Sequence, residues 1–377
     1  MEGDPVIGNA LESVLSDLES SKLPQSLLFA GGDDSFLFEN AIDLVYGMTT
    51  GYDKIRKPYP DVIYAPESDG KMMLDASYKY YASTKTDRGK RFFISTLRRL
   101  LMQYHSAFQR DGKDQKDMLY AKAADVDELL GSLIEKEGDD AIQIASGIYN
   151  IASSEDFISK GKKKAGLTME EARSVISYAE KSSSLKFFLI ENLEDLGESV
   201  RNALLKTLEE PPEGLYTILL SKNSERMMKT ILSRVRKYYF PNLSNAELNS
   251  YLKESYLTRK NYDSLSAFYM DTALTAEEKE NFYSLSAFLL ESIGKAKMPD
   301  AKAMNEKLSF LDKGKARYFM PIFTEELKKR VSDGKFEYWM GNKILNAFSS
   351  SYRDHIIYST NIRVALDGAL REALTCR

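Results

Sequence analysis

A chain of 377 residues is too long for one ordinary hydrophobic core and predicts two or three domains. With 43% hydrophobic and 29% charged residues it reads as soluble, globular and ordered, and no apolar run approaches the length of a membrane span. A net charge of -4 argues against binding DNA through a global positive field, and a single cysteine (Cys376) with two histidines (His105 and His355) excludes a disulfide framework and a thiolate zinc site.

In chain order, the opening MEGDPVIGNA lacks a signal-peptide pattern, so a cytoplasmic location is expected. Val6 to Leu18 is amphipathic, with Ile7, Leu11, Val14, Leu15 and Leu18 on one face. Leu23 to Gly32 predicts a strand running into a turn, Gly31-Gly32-Asp33-Asp34-Ser35. A phosphate-binding loop needs G-x-x-x-x-G-K-[ST]: amides cradle phosphate, lysine neutralises it and the hydroxyl holds magnesium. This turn has no lysine and carries two carboxylates. The Gly-Lys pairs beginning at Gly70, Gly89, Gly112, Gly161, Gly294, Gly314 and Gly334 are all followed by something other than Ser or Thr. No nucleotide cofactor and no metal are expected.

Residues from about 66 to 165 predict a helical insertion, hinged on the core domain. Phe93, Leu97, Leu100, Leu101, Tyr104 and Phe108 make one helical face, and Val126, Leu129, Leu130, Leu133 and Ile134 another. A third helical stretch is expected near Ile142 to Phe157, before the basic turn Lys160 to Lys164. The run Lys85 to Arg99 holds six cations against Asp87, with Phe92 and Phe93 interleaved. Clustered cations and aromatics suit nucleic acid, but a solvated helix face over core phenylalanines is the plainer reading.

Thr168 to Arg173 begins a helix. Phe187 to Ile190 then predicts a strand buried on both faces, and Val200, Ala203, Leu204 and Leu208 a helix that Pro211-Pro212 stops. Tyr216 to Leu220 predicts a second strand, completing a βαβ crossover. Functional residues of such sheets gather beyond the carboxyl ends of the strands. Here those ends are Glu191-Asn192 and Ser221-Lys222-Asn223, with Ser233-Arg234 shortly after. Beyond Phe240-Pro241 the chain turns helical. Ser244 with Glu247 three residues on predicts a capped helix start, and Tyr318 to Val331 and Ile344 to Ile357 predict long helices. SLSAF occurs twice, at Ser264 and Ser284, too little for a repeat architecture, and Trp339 is expected in the core.

The eleven residues Asn202 to Pro212 (NALLKTLEEPP), followed by Thr230-Ile231-Leu232-Ser233-Arg234, resemble the clamp-loader branch of the AAA+ ATPases, which includes the gamma/tau and delta-prime subunits of bacterial DNA polymerase III. Lys57-Pro58-Tyr59-Pro60-Asp61-Val62-Ile63-Tyr64 is similar to the family's His-Pro-Asp-Val strand entry, with tyrosine for histidine. The resemblance implies an α/β AAA+ core with a parallel sheet over residues 1–241, including the insertion. It further implies a small helical lid over 242–273 and an all-helical collar over 274–377 through which five subunits form a hetero-oligomeric ring. It equates Gly31 to Ser35 with a degenerate P-loop. It equates Glu191-Asn192 with the adjacent Asp and Glu that serve magnesium and water in catalytic members, and here an amide stands at the position of the base. The family's usual four-cysteine zinc module is missing, so the region near Gly47 to Lys57 must be held another way.

By the same resemblance Arg234, in a Ser-Arg-Cys motif whose cysteine is here Val235, is a trans-acting arginine finger beside Ser233, reaching a neighbour's nucleotide. The implied protein is a delta-prime-like clamp-loader subunit with no ATPase of its own. Its implied partners are gamma/tau and delta subunits, the sliding clamp and primer-template DNA, touched directly or indirectly. The alternatives are an ATP-hydrolysing gamma/tau-type motor and an AAA+-derived interaction scaffold outside replication.

Overall fold

The computed structural model describes residues 9–49, 60–66, 70–109, 114–160, 166–311, 313–358 and 361–375. Tyr59 and its two predecessors, most of the Gly47 to Lys57 stretch and most of the Lys160 to Lys164 turn lie outside them. The described residues fall into two compact units, one ending at Leu265 and the other starting at Ser266, a division inside the expected lid. Among them no helix is long and apolar enough to cross a membrane.

The first unit is built on a five-stranded sheet with the order β2-β3-β4-β1-β5. Its strands are β1 (Ser26–Gly31), β2 (Val62–Ala65), β3 (Lys186–Glu191), β4 (Leu215–Ser221) and β5 (Arg236–Phe240), and every pairing is parallel. Side chains alternate across a strand, so a strand covered on both faces needs apolar residues at consecutive positions. Leu27 and Phe29 of β1 join Phe187, Leu189, Ile218 and Leu220 on one face, covered by α1 (Asn9–Glu19) and α2 (Leu37–Met48). Leu28 and Ala30 join Phe188, Ile190 and Leu219 on the other, covered by α8 (Met169–Glu180) and α9 (Glu198–Glu209). The expected fold class is therefore found: a parallel sheet between helical layers, followed by helices only.

The α9–β4 corner follows from local chemistry. Glu210 precedes Pro211 and leaves the helical region, with φ -127° and ψ 75°. Gly214 sits at φ +76°, and a Cβ there would lie 2.5 Å from the carbonyl oxygens of Ser183 and Ser184, so only glycine fits. Gln25 Nε2 then donates to the carbonyls of Pro212 (3.1 Å) and Leu215 (2.9 Å), fixing the corner to the start of β1.

The insertion is helical as expected: α3 (Lys71–Thr84), α4 (Asp87–Met102), α5 (Asp114–Glu135), α6 (Gly138–Ala152) and α7 (Glu155–Ser159). Phe93, Leu97, Leu130 and Ile148 belong to a core of its own. It is packed on the sheet rather than hinged from it. Ala107 and Phe108 are buried in the sheet's own core, with the Phe108 ring 6.5 Å from that of Phe188. His105 Nε2 reaches Asp61 Oδ1 at 2.8 Å, just before β2. His105 Nδ1 accepts the Ala107 amide at 3.0 Å. Two further helices belong to this unit, the short α10 (Lys229–Leu232) and α11 (Asn245–Tyr256), which starts at the predicted capping box of Ser244 and Glu247.

Helix α12 (Leu265–Ala273) straddles the division. The second unit continues with α13 (Ala276–Gly294), α14 (Ala301–Lys307), α15 (Lys313–Ala316), α16 (Phe319–Ser332), α17 (Tyr338–Tyr358) and α18 (Ile362–Leu374). Phe319, Phe323 and Phe348 centre its core, with Phe323 stacked on Phe348 at 4.2 Å. Trp339 is not in that core. It is 50% exposed, with Lys343 Nζ 5.2 Å from its ring centre.

Candidate functional site

The turn after β1 is filled by the protein itself. A Cβ on Gly31 would lie 2.2 Å from the Phe240 carbonyl oxygen, and one on Gly32 would lie 2.4 Å from Asn242 Oδ1. Gly31 therefore admits the end of β5, and Gly32 the segment just after it. Ser35 Oγ donates to the Gly32 carbonyl at 2.7 Å. Phe36 adopts a left-handed conformation (φ 53°) with its ring 4.8 Å from Tyr251 of α11, and Asn40 Nδ2 donates to the carbonyls of Ser35 and Phe36. Asp34 Oδ1 accepts the Leu265 amide at 2.9 Å and its carbonyl accepts the Leu243 amide at 3.1 Å. Asp33 pairs with Lys222 at 2.9 Å on the surface.

Lys222 also joins this turn to the ends of β3 and β4, because its amide donates to Asn192 Oδ1 at 3.3 Å. Asn192 is buried and left-handed (φ 43°), a conformation its short amide side chain tolerates. Glu194, also buried, accepts from Ser221 Oγ (2.5 Å) and the Asn223 amide (3.2 Å).

Glu191 closes β3 and does not face open solvent. Its Oε1 accepts from Tyr64 OH at 2.6 Å and from Arg99 Nη2, on α4, at 2.7 Å. Arg99 Nη1 also reaches Glu39 at 3.3 Å, and its guanidinium lies 4.0 Å from the Phe38 ring centre. Burial opposes the charge on Arg99, but Tyr64, Glu191 and Glu39 outweigh it and hold the guanidinium firmly protonated. Burial raises the Glu39 carboxyl above its ordinary range despite Arg99, and pushes the Tyr64 phenol well up, so Tyr64 donates its proton to Glu191 rather than losing it. Among the described residues no group of three or more His, Cys, Asp or Glu is placed to hold a metal.

Arg234 and Ser233 belong to a second place, just past α10. Arg234 Nε and Nη2 donate to Glu209 Oε2 at 3.1 and 3.0 Å, and Nη1 donates to the Thr230 carbonyl at 2.8 Å. Ser233 Oγ donates to that same carbonyl at 3.1 Å. The arginine thus lies along its own helix end and against the last turn of α9. Sequence reasoning singled out neither Glu209 as its partner nor Arg99, Tyr64, Glu39, Glu194 and Asn242 as parts of the first place. Arg99 figures in the sequence only as a member of the basic run, and Tyr64 only as the end of the strand entry that begins at Lys57.

That run is largely engaged within the chain. Lys85 pairs with Asp139 at 2.8 Å, Lys90 donates to the carbonyls of Ile134 and Lys136, and Phe92 and Phe93 are buried.

Comparison with known proteins finds partial similarity to subunits of DNA polymerase III. Residues 136–244 match the family described as DNA polymerase III, delta subunit. An uncharacterized protein of Mycoplasma pneumoniae is 25% identical over 193 residues, 50% of this chain and 73% of that protein. DNA polymerase III subunit gamma of Buchnera aphidicola is 36% identical over 85 residues, 22% of this chain, and subunit tau of Escherichia coli is 33% identical over 78 residues, 21% of this chain. The chain spans only 24% and 12% of those two relatives. A crystal structure of a DNA polymerase III gamma subunit-related protein from Thermotoga maritima aligns over 98% of this chain and 100% of that one, at 15% identity and a TM-score of 0.36. Over part of its length the chain is thus similar to the gamma and tau subunits of DNA polymerase III.

Proposed function

We propose that the chain is a delta-prime-like subunit of a clamp loader that binds no ATP of its own and lends Arg234 to a neighbour's nucleotide site. Its partners would be gamma/tau- and delta-type subunits in a five-membered ring, together with the sliding clamp on primed DNA. The observation that carries the first half is the occupied strand end: Glu191, the acid available to a metal, already holds the Arg99 guanidinium. The turn that would cradle phosphate lacks lysine, presents Asp33 and Asp34, and admits Asn242 against Gly32. A magnesium-nucleotide does not fit such residues, because like charges meet its phosphates and a fixed cation meets its metal's ligand. Saturable binding of a fluorescent ATP analogue at micromolar concentration would refute this half and favour the gamma/tau-type motor.

The second half rests on resemblance and on energetics. Arg234 is held by Glu209, whose side chain is 59% exposed. Surface pairs of this kind contribute about 0–1 kcal/mol, so a polyphosphate from a neighbouring subunit could draw the arginine away at small cost. In a reconstituted ring, Arg234→Ala should lower the neighbour's clamp- and DNA-stimulated ATPase while the chain folds normally. Trans-acting arginines give about 10³ to 10⁵ in rate, and one site among several should show a smaller overall drop. Arg234→Lys should rescue little, since it loses the planar fork, and Lys237→Ala is the control. Loading at the parental rate by Arg234→Ala would remove the trans-acting role. Failure to co-purify with other polymerase III subunits would instead favour a scaffold outside replication.

A further inference from the structure

Helix α4 has two working faces. Phe93, Leu97 and Leu100 point into the insertion's own core. Arg88, Phe92 and Arg99 lie at i, i+4 and i+11, about three helical turns from first to last, and so share another face. At one end of that face Arg88 Nη1 donates to the Glu254 carbonyl, and the Phe92 ring lies 4.7 Å from Tyr256. Tyr80 of α3 adds its hydroxyl to the Tyr256 carbonyl. At the other end, roughly 16 Å away along the axis, Arg99 grips Glu191 and Glu39.

Glu254 and Tyr256 are in the last turn of α11, where a helix leaves its carbonyls without intrahelical partners. The Lys253 carbonyl is satisfied by the Leu257 amide, in a left-handed cap. The carbonyls of Glu254 and Tyr256 are satisfied from the insertion. The start of α11 is tied to the turn after β1 through the Leu243 amide on Asp34, and its middle through Tyr251 on Phe36. Helix α11 is therefore tied to that turn at its start and middle and to α4 at its end.

We propose that α4 is an intramolecular strut: the insertion exists to seat α11 on the α/β core, so that the arrangement of the two does not wait on a bound nucleotide. This goes beyond the proposed role in a clamp loader and does not depend on it, since every contact lies within the first unit.

Hydrogen exchange on the full chain tests the strut. Tyr80→Phe combined with Arg88→Met removes both donors to the end of α11. A hydrogen bond of ordinary net strength corresponds to about fivefold in a local opening equilibrium, so the amides of the last turn of α11 should exchange about 30-fold faster in the pair. The amides of α5 and α6 should keep the parental rates. Arg88 is exposed, so Arg88→Met alone leaves the core untouched and should still give about a fivefold effect on the same amides. Unchanged exchange in α11 would overturn the proposal. So would acceleration shared equally by α5 and α6, which would place the effect on the insertion's own packing.

Discussion

Replacing Arg99 with methionine keeps the apolar stem and removes the guanidinium from a site where three groups depend on it. The side chains of Arg99 and Glu191 are 22% and 16% exposed, and that of Glu39 is 38% exposed. Breaking a buried ion pair by removing one partner costs about 3–5 kcal/mol. Partial solvent access and the surviving bond from Tyr64 to Glu191 place this case at the lower end, near 3 kcal/mol. Unfolding of a two-unit chain is not two-state, so the measurement should be local: exchange of the β3 amides, which should quicken by about two orders of magnitude. The second variant, Arg99→Met with Glu191→Leu, removes the stranded charge and should recover much of the loss. The pH dependence has a definite sign. A carboxyl whose folded pKa lies above its unfolded value costs stability once the pH passes the unfolded value, and Glu39 is already such a group with Arg99 present. Without Arg99 the cost should therefore grow as the pH rises above the ordinary carboxyl range. A penalty below about 1 kcal/mol, or a pair no better than the single variant, would mean that Arg99 is held by packing on Phe38 rather than by charge.

Asp34→Ala should leave the Leu265 amide without its acceptor and destabilise the start of α12 by about 1–3 kcal/mol, seen as faster exchange there, yet should not confer ATP binding because no cation is added. Asp61 has burial raising its carboxyl, but the neighbouring His105 side chain, the Tyr178 hydroxyl and Lys186 outweigh it, so its pKa falls below the ordinary 3.8. A depressed carboxylate gives stability that is present above its unfolded pKa and lost as pH falls through the folded value. Asp61→Asn should therefore cost stability at neutral pH and flatten the decline below about pH 4, and an acid limb identical to the parent's would refute this.

What the sequence made legible was what neighbours in the chain decide. Four consecutive apolar residues, Phe187 to Ile190, identify β3 because a strand covered on both faces leaves no place for a polar residue. Helix α9 stops at Glu209 because Pro211 forbids the helical region at Glu210. The Ser244–Glu247 capping box is closed by bonds three residues apart, so pattern and structure carry the same information. Trp339 shows where reading from type alone fails. The buried stripe of α17 runs through Ile344, Ala347 and Phe348, and one turn earlier it falls on Met340 and Gly341, leaving the tryptophan off the stripe.

The turn after β1 was legible in composition, while the contacts around it were not. A missing lysine can be read at Gly31 to Ser35, because the motif is contiguous. What stands instead is assembled from positions 92 and 127 residues apart, Arg99 and Tyr64 on Glu191, and no periodicity reports which partner a cation on a helix will find. A basic run looks the same in sequence whether it is solvated, waits for phosphate or is consumed inside the fold. The sign pattern separates these cases. In a phosphate site the protein supplies cations and the ligand supplies anions. Here the protein supplies both, Lys222 against Asp33 and Arg99 against Glu191 and Glu39, so both cations are engaged by the chain's own carboxylates. A triphosphate would have to displace those carboxylates from their cations, and the carboxylates, left unpaired beside it, would repel it in turn.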